Sequence, residues 1–312
     1  MSSRKPILVT GSHRSGSTWV GKIIAEAPSV IYIHEPFNVD FPPGPGVCNA
    51  KFDHWFTHIS TTNETDYYTA LRNTIELRYG LWNALTNSRS LGDLKQTFVE
   101  YRRFLGYRFQ GLTPVVKDPI ALFSAEWLAE KFDMNILVLI RHPAAFVSSI
   151  KTRNWPFDFS NLVQQPILLK NYLSPFEEEL REYASMDHDI IDQASFLWKI
   201  MYYVVLQYQK RHTDWIFVRH EDLSHNPSGV FQELFRRLNL EFTQNVSNAI
   251  KFYSDSENPR DVDSPTGEIS LRRNSELNVS NWKYRLNALE IERVRNRVED
   301  ISREFYSDQD WA

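Results

Sequence analysis

One cysteine, Cys48, stands in 312 residues, so no internal disulfide can form and the fold does not depend on an oxidising compartment. Glycine is scarce, with 11 residues, which excludes fibrous and glycine-rich low-complexity architectures. Long apolar runs are absent: Ile136 to Ile140 and Ile200 to Leu206 are core-sized, far below the roughly 20 residues of a membrane span. There is no excess of positive charge either, with 35 Lys and Arg against 39 Asp and Glu. A net charge of −4 argues against a general nucleic-acid binder. The opening Met1-Ser2-Ser3-Arg4-Lys5-Pro6 lacks the apolar stretch of a signal peptide, and the expectation is a cytoplasmic protein without a membrane span. What the chain does have is 42% hydrophobic and 14% aromatic residues, enough to bury a substantial core.

The apolar pattern alternates between short runs and helical spacing. Pro6-Ile-Leu-Val-Thr10 reads as a buried strand stopped by Gly11, and Trp19, Val20, Ile23, Ile24 and Ala27 recur at helical intervals before Pro28. Val30 to Ile33 reads as a second strand, so the first thirty-odd residues form a βαβ unit and imply a parallel sheet. Further strands are expected at Thr113–Val116, Asn135–Ile140 and Trp215–Val218. Helices are expected at Ala125–Phe132, Pro143–Lys151, Gln193–Lys210, Pro227–Leu238 and Asn287–Phe305, with helical pieces in 64–110. Neither repeats nor a linker interrupt the chain. The fold class expected is α/β, a parallel sheet of the phosphate-loop type flanked by helices, in one domain spanning 1–312.

Gly11-Ser-His-Arg-Ser-Gly16-Ser17-Thr18 follows a strand and opens a helix, with the two glycines of G-x-x-x-x-G-K-[ST] in place. Backbone N–H groups and the helix dipole make such a turn an anion cradle. Position 17 is serine rather than the lysine that reaches the outer phosphates of a nucleoside triphosphate, and Arg14 supplies the cation instead. Read from these residues alone, a nucleoside kinase or NTPase, an inactive nucleotide-binding protein and a ligand-free turn all stay open.

Arg14-Ser15-Gly16-Ser17-Thr18-Trp19 resembles the 5′-phosphosulfate loop of sulfotransferases that use 3′-phosphoadenosine 5′-phosphosulfate. Arg141-His-Pro143 with Ser149 resembles that family's 3′-phosphate segment, R-x-P-x-x-x-x-x-S. Val218-Arg-His-Glu-Asp-Leu223 followed by Asn226-Pro227 resembles the family's V-R-Y-E-D-L-x-x-N-P, with His220 in place of tyrosine. Ser280-Asn-Trp282 with Leu286 resembles the segment before the last helix of the family. The resemblance implies a sulfotransferase, with 3′-phosphoadenosine 5′-phosphosulfate as donor, adenosine 3′,5′-bisphosphate as product and no metal.

Glu35-Pro36 and Lys117-Asp118-Pro119 resemble elements of the carbohydrate 6-O- and tyrosylprotein sulfotransferase branches, whereas Trp19 after the loop resembles the cytosolic branch. The resemblance implies Glu35 as general base, with His34 as its rival, and Arg14 and Lys117 as transition-state cations. Arg14, Ser15, Gly16, Ser17, Thr18, Trp19, Arg141 and Ser149 would bind the nucleotide, with Arg272 and Arg273 as later candidates. Acceptor specificity is expected in 37–110, which holds 14 aromatics in 74 positions, and in 153–185, where Trp155-Pro-Phe-Asp-Phe159 is the foremost candidate. The expected partner is a small-molecule or glycan acceptor, most of all a carbohydrate hydroxyl, with a phenolic, tyrosyl or lipid hydroxyl as the alternative.

Overall fold

Short apolar segments rich in Val, Ile and Leu form five strands: β1 (Ile7–Gly11), β2 (Val30–His34), β3 (Thr113–Lys117), β4 (Asn135–Ile140) and β5 (Ile216–Arg219). The computed structural model describes residues 5–261 and 271–312. All five strands lie in one sheet of order β2-β3-β1-β4-β5, and every pairing is parallel. Parallel strands cannot be joined by tight hairpins, and the link from β1 to β2, which lie on either side of β3, runs through helix α1 (Ser17–Ile24).

Both sheet faces are covered, which is why the strands read as continuous apolar runs rather than alternating ones. Leu8, Val116, Ile136 and Val138 face a core completed by the Pro143–Arg153, Ile190–Arg211 and Ala288–Ser302 helices. Ile7, Val9, Val115, Leu137 and Leu139 face the opposite layer, formed by α1 and the Pro227–Arg237 and Gln244–Ser254 helices. Leu137 and Leu139 are fully buried, so truncating either to alanine costs about 2–5 kcal/mol. No helix among the described residues is long and apolar enough to cross a membrane.

Differences from the expected helices sit at their ends. The Ile190–Arg211 helix begins three residues before the expected Gln193, because the Asp189 carboxylate accepts from the Ile191 N–H at 2.8 Å. The last long helix ends at Ser302 rather than Phe305, and begins with a reciprocal cap between Asn287 and Glu290. The 64–110 stretch resolves into helices Tyr68–Ile75, Leu81–Asn87 and Leu91–Phe109, the last capped by Ser90 and Asp93. Segments leaving the C-terminal ends of the strands gather along one edge of the sheet, the side on which open parallel sheets bind ligands.

Candidate active site

Each strand delivers one part of the site just beyond its C-terminal end. A Cβ on Gly11, at φ +138°, would lie 2.4 Å from the Leu139 carbonyl oxygen, so only glycine lets β1 press against β4 there. At Gly16, φ +91°, a Cβ would lie 2.6 Å from His220 Nδ1, which packs the histidine after β5 directly against the loop. Between them Arg14 also has positive φ, 65°. The Tyr202 hydroxyl accepts from the Arg141 N–H and shares a hydrogen bond with Ser12 Oγ, each at 2.9 Å, tying loop, β4 end and the Ile190–Arg211 helix together.

Cations converge beside this loop. Arg141 Nη1 donates to the Arg14 carbonyl at 2.9 Å, and Arg14 Nε donates to Ser149 Oγ at 3.0 Å. The two segments assigned to opposite ends of a nucleotide are therefore in direct contact. Burial, followed by repulsion from Arg153, Arg141, Arg273 and Arg285, lowers the Arg14 pKa to about 9. One carboxylate, Asp261, is shared by Arg273, at 2.8 Å, and Arg285. Ser15 Oγ, Trp19 Nε1 and Arg141 Nε are buried without a hydrogen-bond partner among the described residues. Unanswered donors beside mutually repelling arginines suit a multiply charged anion.

The ends of β2 and β3 interlock. The Glu35 N–H donates to the Lys117 carbonyl at 2.9 Å, continuing the β2–β3 ladder one step past the His34–Lys117 pair. Glu35 then turns through φ 40°. Its carboxylate pairs with the Lys117 ammonium through Oε1 and accepts from Asn38 Nδ2 at 2.6 Å through Oε2. Asp118 accepts from the Phe37 N–H at 2.7 Å and caps the following turn through Ile120 and Ala121, so the Lys-Asp-Pro and Glu-Pro-Phe elements form one unit. Burial pushes the Glu35 carboxyl up, but Lys117, with smaller help from His34 and Asn38, more than offsets it and holds the pKa below the ordinary carboxylate value. Burial, then the Glu35 charge, raises Asp118 to about 7.

These parts surround a cavity of about 680 Å³. One lining is cationic and polar, including Arg14, Ser17, Thr18, Arg141, Ser149 and Arg273. The other is aromatic, with Phe41, Trp55, Phe56, Trp155 and Phe157, and carries Asn38, Asp40, Asp158 and Asn161 between the rings. Glu35 lines the same cavity. The 37–110 and 153–185 segments are stitched together beneath the aromatics: Asn161 accepts from the Trp55 N–H at 2.9 Å, and Gln165 from the His58 N–H at 2.8 Å.

Arg14, Gly16, Ser17, Thr18, Trp19, Glu35, Arg141, Ser149 and Arg273 all meet at this cavity. Four expected residues do not reach its wall. Ser15 lies buried behind the loop. Lys117 is 1% exposed and sits under Glu35, because the ladder carries its side chain to the carboxylate rather than into open space. Arg272 turns away from Arg273, donating to Asn258 Oδ1 at 3.1 Å and lying over the Phe252 ring at 4.5 Å. His34 is absent from the lining; its Nδ1 bonds the Tyr32 hydroxyl at 3.2 Å, and burial followed by Lys117 lowers its pKa.

Several lining residues carry no local sequence signal. His13 lies inside the loop, packed on Phe56 and Phe146, and desolvation followed by Arg14 lowers its pKa to about 3. Arg153 and Arg285 come from the end of one helix and the end of another, 132 positions apart. Glu221, within the strand-end motif, accepts from the His142 N–H at 3.1 Å and the Tyr306 hydroxyl at 2.8 Å, so it ties the C-terminal segment to the end of β4.

Comparisons with known proteins place this architecture. A family model described as "Sulfotransferase family" matches residues 6–244. No curated protein matches the chain. Among solved structures, the sulfotransferase domain from the curacin biosynthetic pathway is similar at 13% identity, covering 95% of this chain and 99% of that one with a TM-score of 0.46. The sulfotransferase domain of the Synechococcus PCC 7002 olefin synthase is similar at 15% identity, covering 98% of each chain with a TM-score of 0.46. Mouse sulfotransferase SULT7A1 complexed with PAP is similar at 11% identity, covering 98% of this chain and 86% of that one with a TM-score of 0.43. The family match takes in the anion loop, the Glu35–Lys117 unit and the Arg141 segment together: the chain belongs to the sulfotransferase family.

Proposed function

We propose that this protein takes a sulfuryl group from 3′-phosphoadenosine 5′-phosphosulfate and places it on a carbohydrate hydroxyl, within a single domain whose 37–110 and 153–185 segments receive the acceptor. The observation that carries the reading is one cavity with two unlike linings and Glu35 on its wall. The cationic lining fits a bisphosphorylated nucleotide: the Ser15 to Trp19 turn and Arg14 for one phosphate group, Arg141 and Arg273 for the other. Trp19 Nε1 and Arg141 Nε, on residues that line the cavity, are the orphaned donors such a ligand would answer. When bound, the nucleotide supplies the sulfuryl group.

The chain's residues supply the rest. Glu35, ionised because Lys117 and Asn38 hold it so, takes the acceptor hydroxyl proton as the new O–S bond forms. Arg14 sets its positive charge against the oxygen that leaves with the electron pair. Lys117 acts through Glu35, orienting the carboxylate and setting its charge. Flat rings at Phe41, Trp55 and Trp155 beside Asp40, Asp158 and Asn161 match the apolar face and hydroxyl rim of a sugar.

Thermal shift with adenosine 3′,5′-bisphosphate, set against ATP with Mg²⁺, tests the donor. Stabilisation by the bisphosphate supports the reading, and stabilisation by ATP with Mg²⁺ alone overturns it in favour of a nucleoside kinase or NTPase. Transfer of labelled sulfate to saccharides, phenols and long-chain alcohols tests the acceptor, and label confined to the phenols or alcohols overturns the carbohydrate assignment.

A further inference from the structure

Away from the cavity, the Leu91–Phe109 helix is amphipathic in a way its packing does not use. Thr97 and Phe104 are its buried positions, and they sit on one side. On the other side Leu91, Lys95, Phe98, Arg102, Leu105 and Phe109 follow one another at intervals of three or four, so they form a continuous stripe along the helix. All six are exposed. The apolar members are far more so than a core helix tolerates: Leu91 86%, Phe98 51%, Leu105 43% and Phe109 95%. The preceding helix, Leu81–Asn87, packs against this one and leaves Trp82 76% exposed.

The charges on the stripe are of one sign. Between residues 78 and 110 there are six basic side chains against two acidic ones, in a chain whose net charge is −4. The two acids are off the stripe and engaged elsewhere: Asp93 caps the helix with Ser90, and Glu100 pairs with Arg103 at 2.8 Å. Lys95 and Arg102 have no acidic partner within salt-bridge distance among the described residues. At the C-terminal part of the stripe, Arg108 lines a groove together with Tyr79, Tyr101, Leu105 and Arg78, the last paired with Glu76 at 2.5 Å.

We propose that this helix face docks on a lipid bilayer bearing anionic headgroups, with Leu91, Phe98, Leu105 and Phe109 entering the interface and Lys95 and Arg102 meeting lipid phosphates. An apolar stripe interleaved with lysine and arginine matches the headgroup–acyl boundary, where apolar burial and attraction to anionic lipid act together. Charge complementarity selects this occupant over a second copy of the chain. Pairing the stripe with itself, parallel or antiparallel about Phe98 and Val99, sets Lys95 and Arg102 against another pair of cations. The inference is independent of sulfuryl transfer, since no residue of the stripe lines the cavity.

Flotation of the full chain with vesicles tests it. Wild type is expected to float with vesicles of phosphatidylcholine mixed with phosphatidylglycerol, to stay behind with phosphatidylcholine alone, and to be released by salt. Lys95→Gln with Arg102→Gln should weaken partitioning about thirtyfold. Phe98→Ser with Leu105→Ser should abolish it, both variants keeping the wild-type melting temperature and response to adenosine 3′,5′-bisphosphate. Failure of wild type to float with the mixed vesicles overturns the proposal, as does equal flotation of the wild type and both double variants. Concentration-dependent self-association lost in these variants, with no vesicle binding by wild type, also overturns it and gives the face to a second copy.

Discussion

The two linings of the cavity are built on opposite principles. On the cationic side the backbone is fixed by close approaches at Gly11 and Gly16, while side-chain donors on Trp19 and Arg141 go unanswered. On the aromatic side several polar groups are already engaged by the protein: Asn161 accepts from the Trp55 N–H and Asn38 donates to Glu35. The first lining is finished by a charged ligand and the second is finished by itself. A ligand on the first side therefore gains hydrogen bonds that the empty protein lacks, whereas one on the second side gains mainly contact area. Strong, invariant recognition belongs to the first and adaptable shape recognition to the second.

Substitution of Glu35, which lines the same cavity, gives the largest expected effect. Glu35→Gln should lower kcat about a thousandfold, while the thermal shift produced by adenosine 3′,5′-bisphosphate stays close to wild type. Near-normal turnover would remove Glu35 from the proton transfer, and a lost thermal shift would move it into the nucleotide site.

The cationic lining can be broken more selectively at Arg141. Arg141→Ala removes a charge-assisted donor, and nucleotide affinity measured by titration calorimetry should fall by roughly 30-fold. An unchanged affinity would mean that Arg141 serves the loop alone, through its bond to the Arg14 carbonyl.

Lys117 sharpens the comparison through pH. Its ammonium keeps the Glu35 carboxyl below the ordinary value, so activity that needs the carboxylate persists as pH falls and is lost only beneath the usual carboxylate range. In Lys117→Met burial acts without that compensation, and the acid limb of kcat/KM should move to higher pH. An acid limb that stays in place would separate Lys117 from Glu35's ionisation. The smallest effect belongs to the aromatic side. Trp155, which stacks near both Arg14 at 5.9 Å and Arg153 at 5.3 Å, adds contact area. Trp155→Ala should raise the acceptor KM about tenfold, with nucleotide affinity unchanged within experimental error.

Legibility of the sequence follows the same division. The strands and anion loop were readable because their information is local: Asn135 to Ile140 is one apolar run, and Gly11 and Gly16 stand at a fixed interval. The pairing of Glu35 with Lys117 was only half readable. Both residues were singled out, yet their contact depends on β2 lying beside β3, a neighbour relation across 82 positions that no local pattern states. Arg153 and Arg285 reach the cavity only because two distant helices end at the same place. Arg272 and Arg273 show the reverse case, since adjacent residues of one type take opposite directions once Asn258 and Phe252 claim the first. The exposed stripe of the Leu91–Phe109 helix was also beyond reach, because period alone does not say which side of a helix is packed.

The hydroxyl of Tyr202 joins Ser12, the Arg141 N–H and a 22-residue helix that spans the main core. Its consequence concerns opening rather than affinity. A loop held only by its own turn can detach from the body in small, frequent excursions, but this one cannot leave without unseating a fully buried phenol. Amide protection in the anion cradle should therefore approach that of β4, and the donor end of the molecule keeps its shape until the core itself gives way.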